Sequence, residues 1–356
     1  VSFTLAKALV NKKIKVYLYS QNNKKIENFN RTIGISSNNL GFFNEEIIKL
    51  KKNLFWKINE IEIFKENKKI LNFEKSKKDL FSIIKNNNLN NFLVKDLLKN
   101  NYFKKIKIKN NFFYSKILNS NKFNLIINCE SENKISKKYF YKKIFKNYNS
   151  KAYASIINHE KIDNKKAVQV FTDLGPIAFL PISEFQTSVV YSIKNQSIKK
   201  DIKMSQEDFK KLILNNNKKY KIKFISKFES FKLNQKILRN YYYKNILAFG
   251  DNLHKIHPLS GQGFNITLRD IRVLLSLIDE KINLGLPLDN SICKDFESKT
   301  KHLNFLFTAG NDFIYEFFNY DNYYLRPFSN KILGFLKGNK LFNNLAIEYA
   351  DKGLRI

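Results

Sequence analysis

The chain has few cysteines and no long apolar run. Cys129 and Cys293 are the two cysteines among 356 residues, and their separation matches no metal-binding spacing. This excludes a disulfide scaffold and indicates reduced thiols in a cytosolic protein. No stretch of about 18 uncharged apolar residues occurs, so we predict no helix that spans a bilayer. Residues 1–4 also lack the basic and then apolar layout of a secretory leader.

Acidic residues are scarce. The chain has 31 Asp and Glu against 64 Lys and Arg, which gives a formal net charge of +33. Such a charge suits a polyanion, either nucleic acid or an anionic membrane surface. It also follows from a genome rich in A and T, whose codons favour Lys, Asn, Ile, Phe and Tyr, as in the runs at 85–88 and 215–219. The basic residues are spread along the chain and form no nucleic-acid-binding motif. We therefore predict no nucleic-acid partner and keep a weak attraction to anionic lipid as an alternative.

Apolar residues are plentiful. They make up 43% of the chain, and 33 residues are Phe, which excludes a disordered protein. A chain of 42.1 kDa can bury a large core, as one large α/β domain or as a few smaller ones.

The chain begins with a helix pattern at 3–10, and a short buried strand follows at 14–19. A helix followed by a β-branched strand is the second half of a βαβ unit. We therefore expect the first strand of that unit, ending in a glycine-rich turn, to be encoded before Val1. We also expect the strand at 14–19 to share a sheet with a buried strand at 246–249.

Other elements follow from periodicity. Successive short strands separated by turns predict an antiparallel sheet between 151 and 230. Aromatic-rich helices are predicted beyond 291. Further predicted elements are strands at 60–64 and 123–128 and helices at 89–98 and 264–283, the last of them stopped by Gly285.

The segment 245–265 combines a strand, an acidic turn, a His-Pro corner, a glycine loop and the start of a helix. Gly250 lets the chain turn sharply, which leaves Asp251 at the carboxyl end of a buried strand, where open α/β folds bind ligands. Gly261 and Gly263 let backbone N–H groups approach a ligand, and they open a helix whose positive end favours a negative group. Such a helix end would stabilise a reduced flavin, which carries negative charge near N1 and the C2 carbonyl.

Each of these features also has an ordinary structural explanation. An Asp after a strand often caps a helix or closes a turn, and a Gly-x-Gly pair often forms only a loop. His254 and His257 suggest a metal, but no carboxylate or Cys completes a ligand set. We therefore predict packed or capping histidines and no metal.

As a whole, the segment resembles the flavoprotein aromatic hydroxylases, and among them the branch that hydroxylates the ring during ubiquinone biosynthesis. That family has a Gly-Asp turn, a His-Pro step, Gly-Gln-Gly and Asn, and then Arg-Asp in the next helix. The matching residues are Gly250-Asp251, His257-Pro258, Gly261-Gln262-Gly263, Asn265 and Arg269-Asp270. The resemblance implies that Asp251 binds the ribityl chain of FAD and that the loop 258–265 lies beside the isoalloxazine.

Three more segments are similar to this family. Segment 31–36 looks like the one whose arginine contacts the cofactor, and segment 175–182 resembles the substrate-domain strand that faces the flavin. Segment 349–354 is similar to the C-terminal end of the ubiquinone branch.

The chain also departs from the family pattern. The glycine fingerprint for the FAD pyrophosphate is expected before Val1, with Ser2 near the place of its last glycine. Ser20 replaces the acidic residue that holds the adenosine ribose. Glu130-Ser131 replaces an Asp-Gly turn, which keeps the charge but loses the freedom of glycine to take a positive φ.

The resemblance implies a set of site residues. The predicted cofactor-binding residues are Arg31, Glu130, Gly250, Asp251, Pro258, Gly261, Gln262, Gly263, Phe264 and Asn265. A substrate pocket is predicted near Pro258, Leu180 and Pro181, between the strands at 177–193 and the loop at 256–265. No catalytic side chain is predicted, because the flavin carries the chemistry and the protein supplies position and dryness.

The implied fold is α/β. It consists of a Rossmann-like FAD-binding domain without its first strand and glycine fingerprint, an inserted antiparallel β-sheet substrate domain and a helical C-terminus. The predicted ranges are 1–60, 86–150 and 236–290 for the FAD-binding domain, 61–85 and 151–235 for the substrate domain, and 291–356 for the helical region.

The implied activity is that of an FAD-dependent monooxygenase. FAD reduced by NADH or NADPH would react with O2 to a flavin hydroperoxide, which hydroxylates the ring of a polyprenylated phenol. Other quinone-biosynthesis proteins are expected as further partners. The aromatic stretch 305–328 suits either a groove for the polyprenyl tail or ordinary helix packing. The basic composition suits a cytoplasmic protein with peripheral contact to the inner face of the membrane.

Three alternatives remain. The chain would be a hydroxylase or reductase for another aromatic or isoprenoid substrate, a basic nucleic-acid-binding protein, or a flavin-free relic. A bound flavin, visible in the absorption spectrum, separates the first of these from the other two.

Overall fold

The computed structural model describes residues 1–21, 31–65, 68–74, 79–108, 112–119, 122–194, 204–217, 219–257, 261–319 and 339–353. In chain order the helices are α1 (Ser2–Asn11), α2 (Ser37–Phe42), α3 (Asn86–Leu97), α4 (Phe112–Asn119), α5 (Lys134–Tyr139), α6 (Gln206–Asn216), α7 (Gly263–Asn283), α8 (Ser291–Asn319) and α9 (Lys340–Lys352). Short π- and 3-10-helical turns lie at Phe43–Ile47, Lys52–Leu54 and Gly250–Asn252.

The strands are β1 (Val16–Gln21), β2 (Thr32–Ser36), β3 (Phe55–Ile58), β4 (Glu60–Lys65), β5 (Lys68–Glu74), β6 (Phe81–Lys85), β7 (Phe103–Ile108), β8 (Ile126–Asn128), β9 (Lys143–His159), β10 (Lys166–Thr172), β11 (Gly175–Pro181), β12 (Gln186–Lys194), β13 (Ile222–Ile225), β14 (Glu229–Leu238), β15 (Tyr242–Tyr243), β16 (Ile246–Ala248) and β17 (His254–Lys255).

The long helix predicted at 264–283 is confirmed as α7. Its apolar residues Ile271, Leu274 and Ile278 recur at helical spacing and are all buried, so one face of the helix packs on the core. The helix ends two residues before Gly285, whose φ of +66° glycine adopts at little cost.

The predicted antiparallel sheet is confirmed, and it is larger than the sequence indicated. Its strand order is β17-β14-β9-β12-β11-β10-β4-β5, and β13 also pairs with β9. Within it, β10 pairs with β4 in parallel. Phe179 and Tyr191 of this sheet share one buried core with Phe209 and Ile213 of α6, so α6 covers one face.

Two strands of this sheet cross the predicted domain borders. β9 continues through the border at 150/151, and β14 continues through the border at 235/236. The two strands pair with each other from Glu229 and Ala154 to Leu238 and Lys143. A hydrogen-bonded ladder therefore runs from the predicted substrate domain into the predicted FAD-binding domain. The division into domains stays a proposal.

The α/β part contains three small sheets. β1 pairs with β7 in parallel, β8 and β16 pair in parallel with β15 on the far side of β16, and the third sheet has the order β2-β6-β3. The expectation that the strands at 14–19 and 246–249 share a sheet is therefore wrong. No described strand pairs with both β1 and β16, and sheet neighbours must lie about 4.8 Å apart. Side chains connect the two sheets instead, because Leu5 of α1, Leu247 of β16 and Leu274 of α7 belong to one core.

The C-terminal region is helical, as predicted. α8 packs on α7, and its Phe296 is fully buried in the α/β core. Residues 320–338 lie outside the described residues, and with them part of the aromatic stretch 305–328. None of the described helices has the length and apolar character needed to cross a membrane.

Candidate functional site

The turn at Gly250–Asn252 lies at the carboxyl ends of the parallel strands β8 and β16. Gly250 has a φ of +59°, and a Cβ on it would lie 2.6 Å from Cγ1 of Val1. Both conditions require glycine. Asn252 fixes the turn to the end of β8, because its Nδ2 donates to the carbonyl of Asn128 at 3.1 Å. The side chain of Asp251 is exposed, so its carboxylate is accessible to a ligand.

Arg31 and Glu130 lie near the same turn. The charges of Asp251 and Arg31 both act on the ammonium group of Lys255, and those of Asp251 and Glu130 both act on the thiol of Cys129. Burial raises the pKa of Cys129, so the thiol is protonated near neutral pH. The structure thus brings three predicted cofactor-binding residues to one place. We call Arg31, Glu130, Gly250 and Asp251 the Asp251 edge.

The start of α7 is open. Apart from the chain neighbours of each glycine and the backbone of α7, no atom of the described residues lies within 4 Å of a Cβ built on Gly261 or Gly263. Between them, Oε1 of Gln262 is buried and has no hydrogen-bond partner among the described residues. A buried acceptor without a donor costs free energy, and an N–H group of a ligand would satisfy it. Phe264 packs, partly buried, against the α/β core, whereas Pro258 lies outside the described residues.

Asn265 connects β2 to α7. Its Oδ1 accepts from the backbone N–H of Ser36 at 2.9 Å, and its Nδ2 donates to the carbonyl of Gly34 at 3.0 Å. Nδ2 of Asn39 donates to the same Oδ1 at 3.1 Å. The side chain is only 2% exposed. Its predicted contact with a cofactor stays a prediction, and the structure shows that it fixes β2, which starts next to Arg31, against the start of α7.

The end of α9 is hydrogen-bonded to the end of β2 and to the start of α2. The backbone N–H of Asn38 donates to Oδ1 of Asp351 at 2.8 Å, and Oγ of Ser36 donates to the Asp351 carbonyl at 3.0 Å. Nη2 of Arg269 donates to the carbonyl of Ala350 at 2.9 Å. Three segments that the sequence singles out separately therefore meet in the fold.

His254 is a packed histidine. Its Nε2 lies 2.6 Å from Oδ2 of Asp270, and the two side chains are 1% and 2% exposed. Nδ2 of Asn304 donates to Oδ1 of Asp270 at 3.0 Å. These contacts hold β17, which directly follows the Asp251 turn, against α7 and α8. In the described part of the chain, no group of three or more His, Cys, Asp or Glu residues is arranged to hold a metal ion.

His257 packs between β9 and α8. Its ring centroid lies 4.8 Å from that of Tyr148 and 4.1 Å from that of Tyr315. Burial lowers the pKa of His257 to about 3, so the ring is neutral near pH 7. The Tyr148 hydroxyl donates to Oδ1 of Asp312 at 2.8 Å, and Nζ of Lys146 lies 2.9 Å from Oδ2. We call these five residues the β9–α8 contact.

Sequence reasoning missed the β9–α8 contact. Tyr148 and Asp312 are 164 residues apart, and neither belongs to a local motif. No local sequence signal marks this contact, because it depends on the length of β9, which continues past the predicted border and brings its residues close to α8.

The predicted substrate strand is β11. Leu180 packs against the apolar residues of the β2-β6-β3 sheet, and Pro181 is buried at the end of the strand. Oγ1 of Thr32 donates to Oγ of Ser188 at 2.9 Å, which connects β2 to β12. β2 therefore contacts β12 through Thr32 and α7 through Asn265. The pocket between these elements stays a prediction.

Comparison with known proteins gives a consistent picture. Residues 126–283 match a family of FAD binding domains. The chain is similar to ubiquinone hydroxylase UbiL from Rhodospirillum rubrum, with 25% identity over 49% of this chain and 41% of the relative. It is also similar to the ubiquinone biosynthesis monooxygenase COQ6 from Dictyostelium discoideum, with 22% identity over 50% and 43% of the two chains. The chain thus spans about two fifths of the length of the curated relatives that it matches.

Solved structures share the fold over nearly the whole chain. The p-nitrophenol 4-monooxygenase PnpA from Pseudomonas putida aligns with a TM-score of 0.76 and 10% identity, over 99% of this chain and 96% of that one. HpxO from Klebsiella pneumoniae, solved with FAD and uric acid, aligns with a TM-score of 0.70 and 9% identity, over 98% and 93%. The predicted fold class, α/β with an antiparallel sheet and a helical C-terminus, is confirmed. The resemblance to the ubiquinone branch is also confirmed, at low identity.

Proposed function

We propose that the chain acts as an FAD-dependent monooxygenase that hydroxylates the aromatic ring of a polyprenylated phenol in ubiquinone biosynthesis. The observation that carries this proposal is the Asp251 edge. There a glycine-dependent turn at the carboxyl ends of parallel strands holds an exposed carboxylate in the neighbourhood of Arg31. The FAD-binding-domain match over 126–283 and the similarity to ubiquinone hydroxylases support it.

The side chains at the site suit FAD. A carboxylate accepts strong hydrogen bonds from hydroxyl groups, so Asp251 would bind the ribityl chain. Oε1 of Gln262 is buried without a donor, and the imide N–H of a flavin ring would supply one. The start of α7 carries partial positive charge, which suits the part of a reduced flavin that becomes negative. Arg31 and Glu130 would contact the cofactor from the same edge.

Bound FAD would supply electron transfer from NADH or NADPH and the transfer of one oxygen atom from O2 to the ring. The residues of the chain position the reactants and exclude water. Asn265 fixes the spacing of β2 and α7. The ring of His257, which is neutral near pH 7, packs between Tyr148 and Tyr315. It therefore adds no charge just before residue 258.

The aromatic stretch at 305–328 has two kinds of residues in its described part. Phe307 and Tyr315 are buried, as ordinary helix packing requires, whereas Phe305 and Phe313 are 47% and 68% exposed. Exposed apolar groups on one helix suit a polyprenyl tail or a lipid surface. Together with the net charge of +33, they support peripheral contact of a cytoplasmic protein with the inner face of an anionic membrane.

Complementation tests the substrate assignment. The gene is expressed in strains that each lack one ring hydroxylase of ubiquinone biosynthesis, and quinone content is measured. We expect quinone synthesis to return in one of these strains. A matched strain that expresses Asp251→Ala should stay deficient, whereas Asp173→Ala, which removes an exposed carboxylate in the distant turn between β10 and β11, should behave like the unchanged protein. If every strain stays deficient and the purified yellow protein oxidises a small water-soluble phenol, the chain acts on another aromatic substrate.

A further inference from the structure

Lys236 and Lys255 stand directly opposite each other beside the Asp251 edge. The register of the antiparallel strands pairs Lys236 of β14 with Lys255 of β17. Directly opposite residues of an antiparallel pair project from the same face of the sheet, and like charges in that position destabilise the pair. A repulsive pair at this place calls for an explanation other than strand pairing.

The environment of Lys236 increases that cost. The residue is 9% exposed, and its side chain makes no hydrogen bond or ion pair with any other described residue. Burial, and then repulsion by Lys143 and Lys255, lowers the pKa of Lys236 to about 8, against an opposing attraction by Asp251. A buried ammonium group without a counter-ion is unfavourable. Lys255 is exposed, so the pair is open to solvent on the Lys255 side.

Neither lysine has a direct anionic partner. Asp251 and Glu132 act on both ammonium groups from a distance, and so do further cations, Arg31 on Lys255 and Lys143 on Lys236. No described carboxylate forms a hydrogen bond or an ion pair with Lys236 or Lys255. An anionic group of a ligand would supply the partner that both lysines lack.

We propose that Lys236 and Lys255 form a binding site for the pyrophosphate of a dinucleotide. A pyrophosphate diester carries two negative charges, and lysine binds phosphate oxygens as a point charge. This inference rests on the proposed function, which places a dinucleotide at the neighbouring Asp251. The pyrophosphate belongs either to FAD, in which it follows the ribityl chain, or to the nicotinamide dinucleotide that reduces FAD.

The test compares Lys236→Gln and Lys255→Gln with Lys232→Gln, which removes an exposed lysine of the same strand. Thermal unfolding of the flavin-free proteins is followed with and without inorganic pyrophosphate. Flavin fluorescence gives the Kd of FAD and of riboflavin, which lacks phosphate, and anaerobic reduction gives the Kd of NADH. We expect pyrophosphate to protect the unchanged protein and Lys232→Gln, and to protect the other two variants much less.

The Kd values of FAD and NADH show which dinucleotide supplies the pyrophosphate. For the FAD pyrophosphate, the Kd of FAD rises about ten-fold or more in Lys236→Gln while that of riboflavin is unchanged. For the donor pyrophosphate, only the Kd of NADH rises. Lys236→Arg retains the charge and should preserve affinity, which separates a lost charge from a disturbed fold.

Two results separate the inference from the proposed function. If pyrophosphate protects all variants equally and neither dinucleotide binds more weakly to Lys236→Gln or Lys255→Gln, the anion site is refuted. Suppose instead that pyrophosphate protects the unchanged protein but neither Lys236→Gln nor Lys255→Gln, and that the unchanged protein binds no FAD. The anion site is then supported, and the proposed function is contradicted.

Discussion

Asp251 and Asp270 belong to the same stretch of sequence, yet they lie in opposite environments. Asp270 is 2% exposed and contacts His254 at 2.6 Å and Asn304 at 3.0 Å. Asp251 is exposed and makes no hydrogen bond with any other described residue. A buried, paired carboxylate contributes to stability because its removal leaves its partners unsatisfied. An exposed, unpaired carboxylate contributes little to stability and is available to a ligand.

The comparison separates two roles within one segment. The inner side of α7 connects β17, α8 and, through Asn265, β2. The turn at Gly250–Asn252 depends on that scaffold for its position, but its carboxylate is not part of it. Substitutions on the inner side should therefore change the free energy of unfolding, and substitution of Asp251 should change ligand affinity.

The largest effect is expected at Asp270. Asp270→Ala leaves the ring of His254 and the amide of Asn304 buried without their partner, so the free energy of unfolding should fall by about 2–6 kcal/mol, at about 1–3 kcal/mol for each group. Asp279→Ala is the control on the same helix, because Asp279 is 40% exposed and forms a surface ion pair with Lys12. It should cost about 1 kcal/mol or less. Urea unfolding measures the loss of free energy in both variants. Similar losses would contradict the difference between a buried, paired carboxylate and an exposed one.

The turn itself can be tested at its glycine. Gly250 and Gly261 have nearly the same positive φ, +59° and +62°, so alanine at either position adds similar backbone strain. Only at Gly250 does the new Cβ meet a neighbour, Val1, at 2.6 Å. Gly250→Ala should therefore be less stable than Gly261→Ala by about 1–3 kcal/mol. Equal thermal stability of the two variants would show that Val1 does not restrict the turn.

A smaller effect is expected from pH at the β9–α8 contact. Burial lowers the pKa of His257 from 6.5 to about 3, so between these values the unfolded chain binds a proton that the folded chain does not. Stability is therefore lost as the pH falls through this window, by about 1 kcal/mol between pH 7 and pH 5.5. In His257→Gln the free energy of unfolding should no longer fall by this amount between the two pH values. In His302→Gln, at an exposed position, the fall should remain. Urea unfolding at the two pH values provides the comparison, and parallel behaviour of the variants would exclude His257 as the source.

Sequence reasoning predicts the parts of the site whose residues are neighbours in the chain. The turn at Gly250, the glycines before α7 and the length of α7 follow from local spacing. Contacts between distant segments do not, because no short pattern encodes them. Asn265 binds Ser36 from 229 residues away. The prediction that the strands at 14–19 and 246–249 share a sheet was wrong for the same reason, since strand pairing is a long-range property.

The affinity of Asp251→Ala for FAD tests the central claim most directly. A charge-assisted hydrogen bond is worth about 1.5–3 kcal/mol, so its loss should weaken FAD binding about ten- to a hundred-fold. The free energy of unfolding in the absence of flavin should stay unchanged, and Asp173→Ala should bind FAD as the unchanged protein does. Unchanged FAD affinity in a folded Asp251→Ala variant would contradict the account, and so would lost stability with FAD binding intact, which is the behaviour of a helix cap.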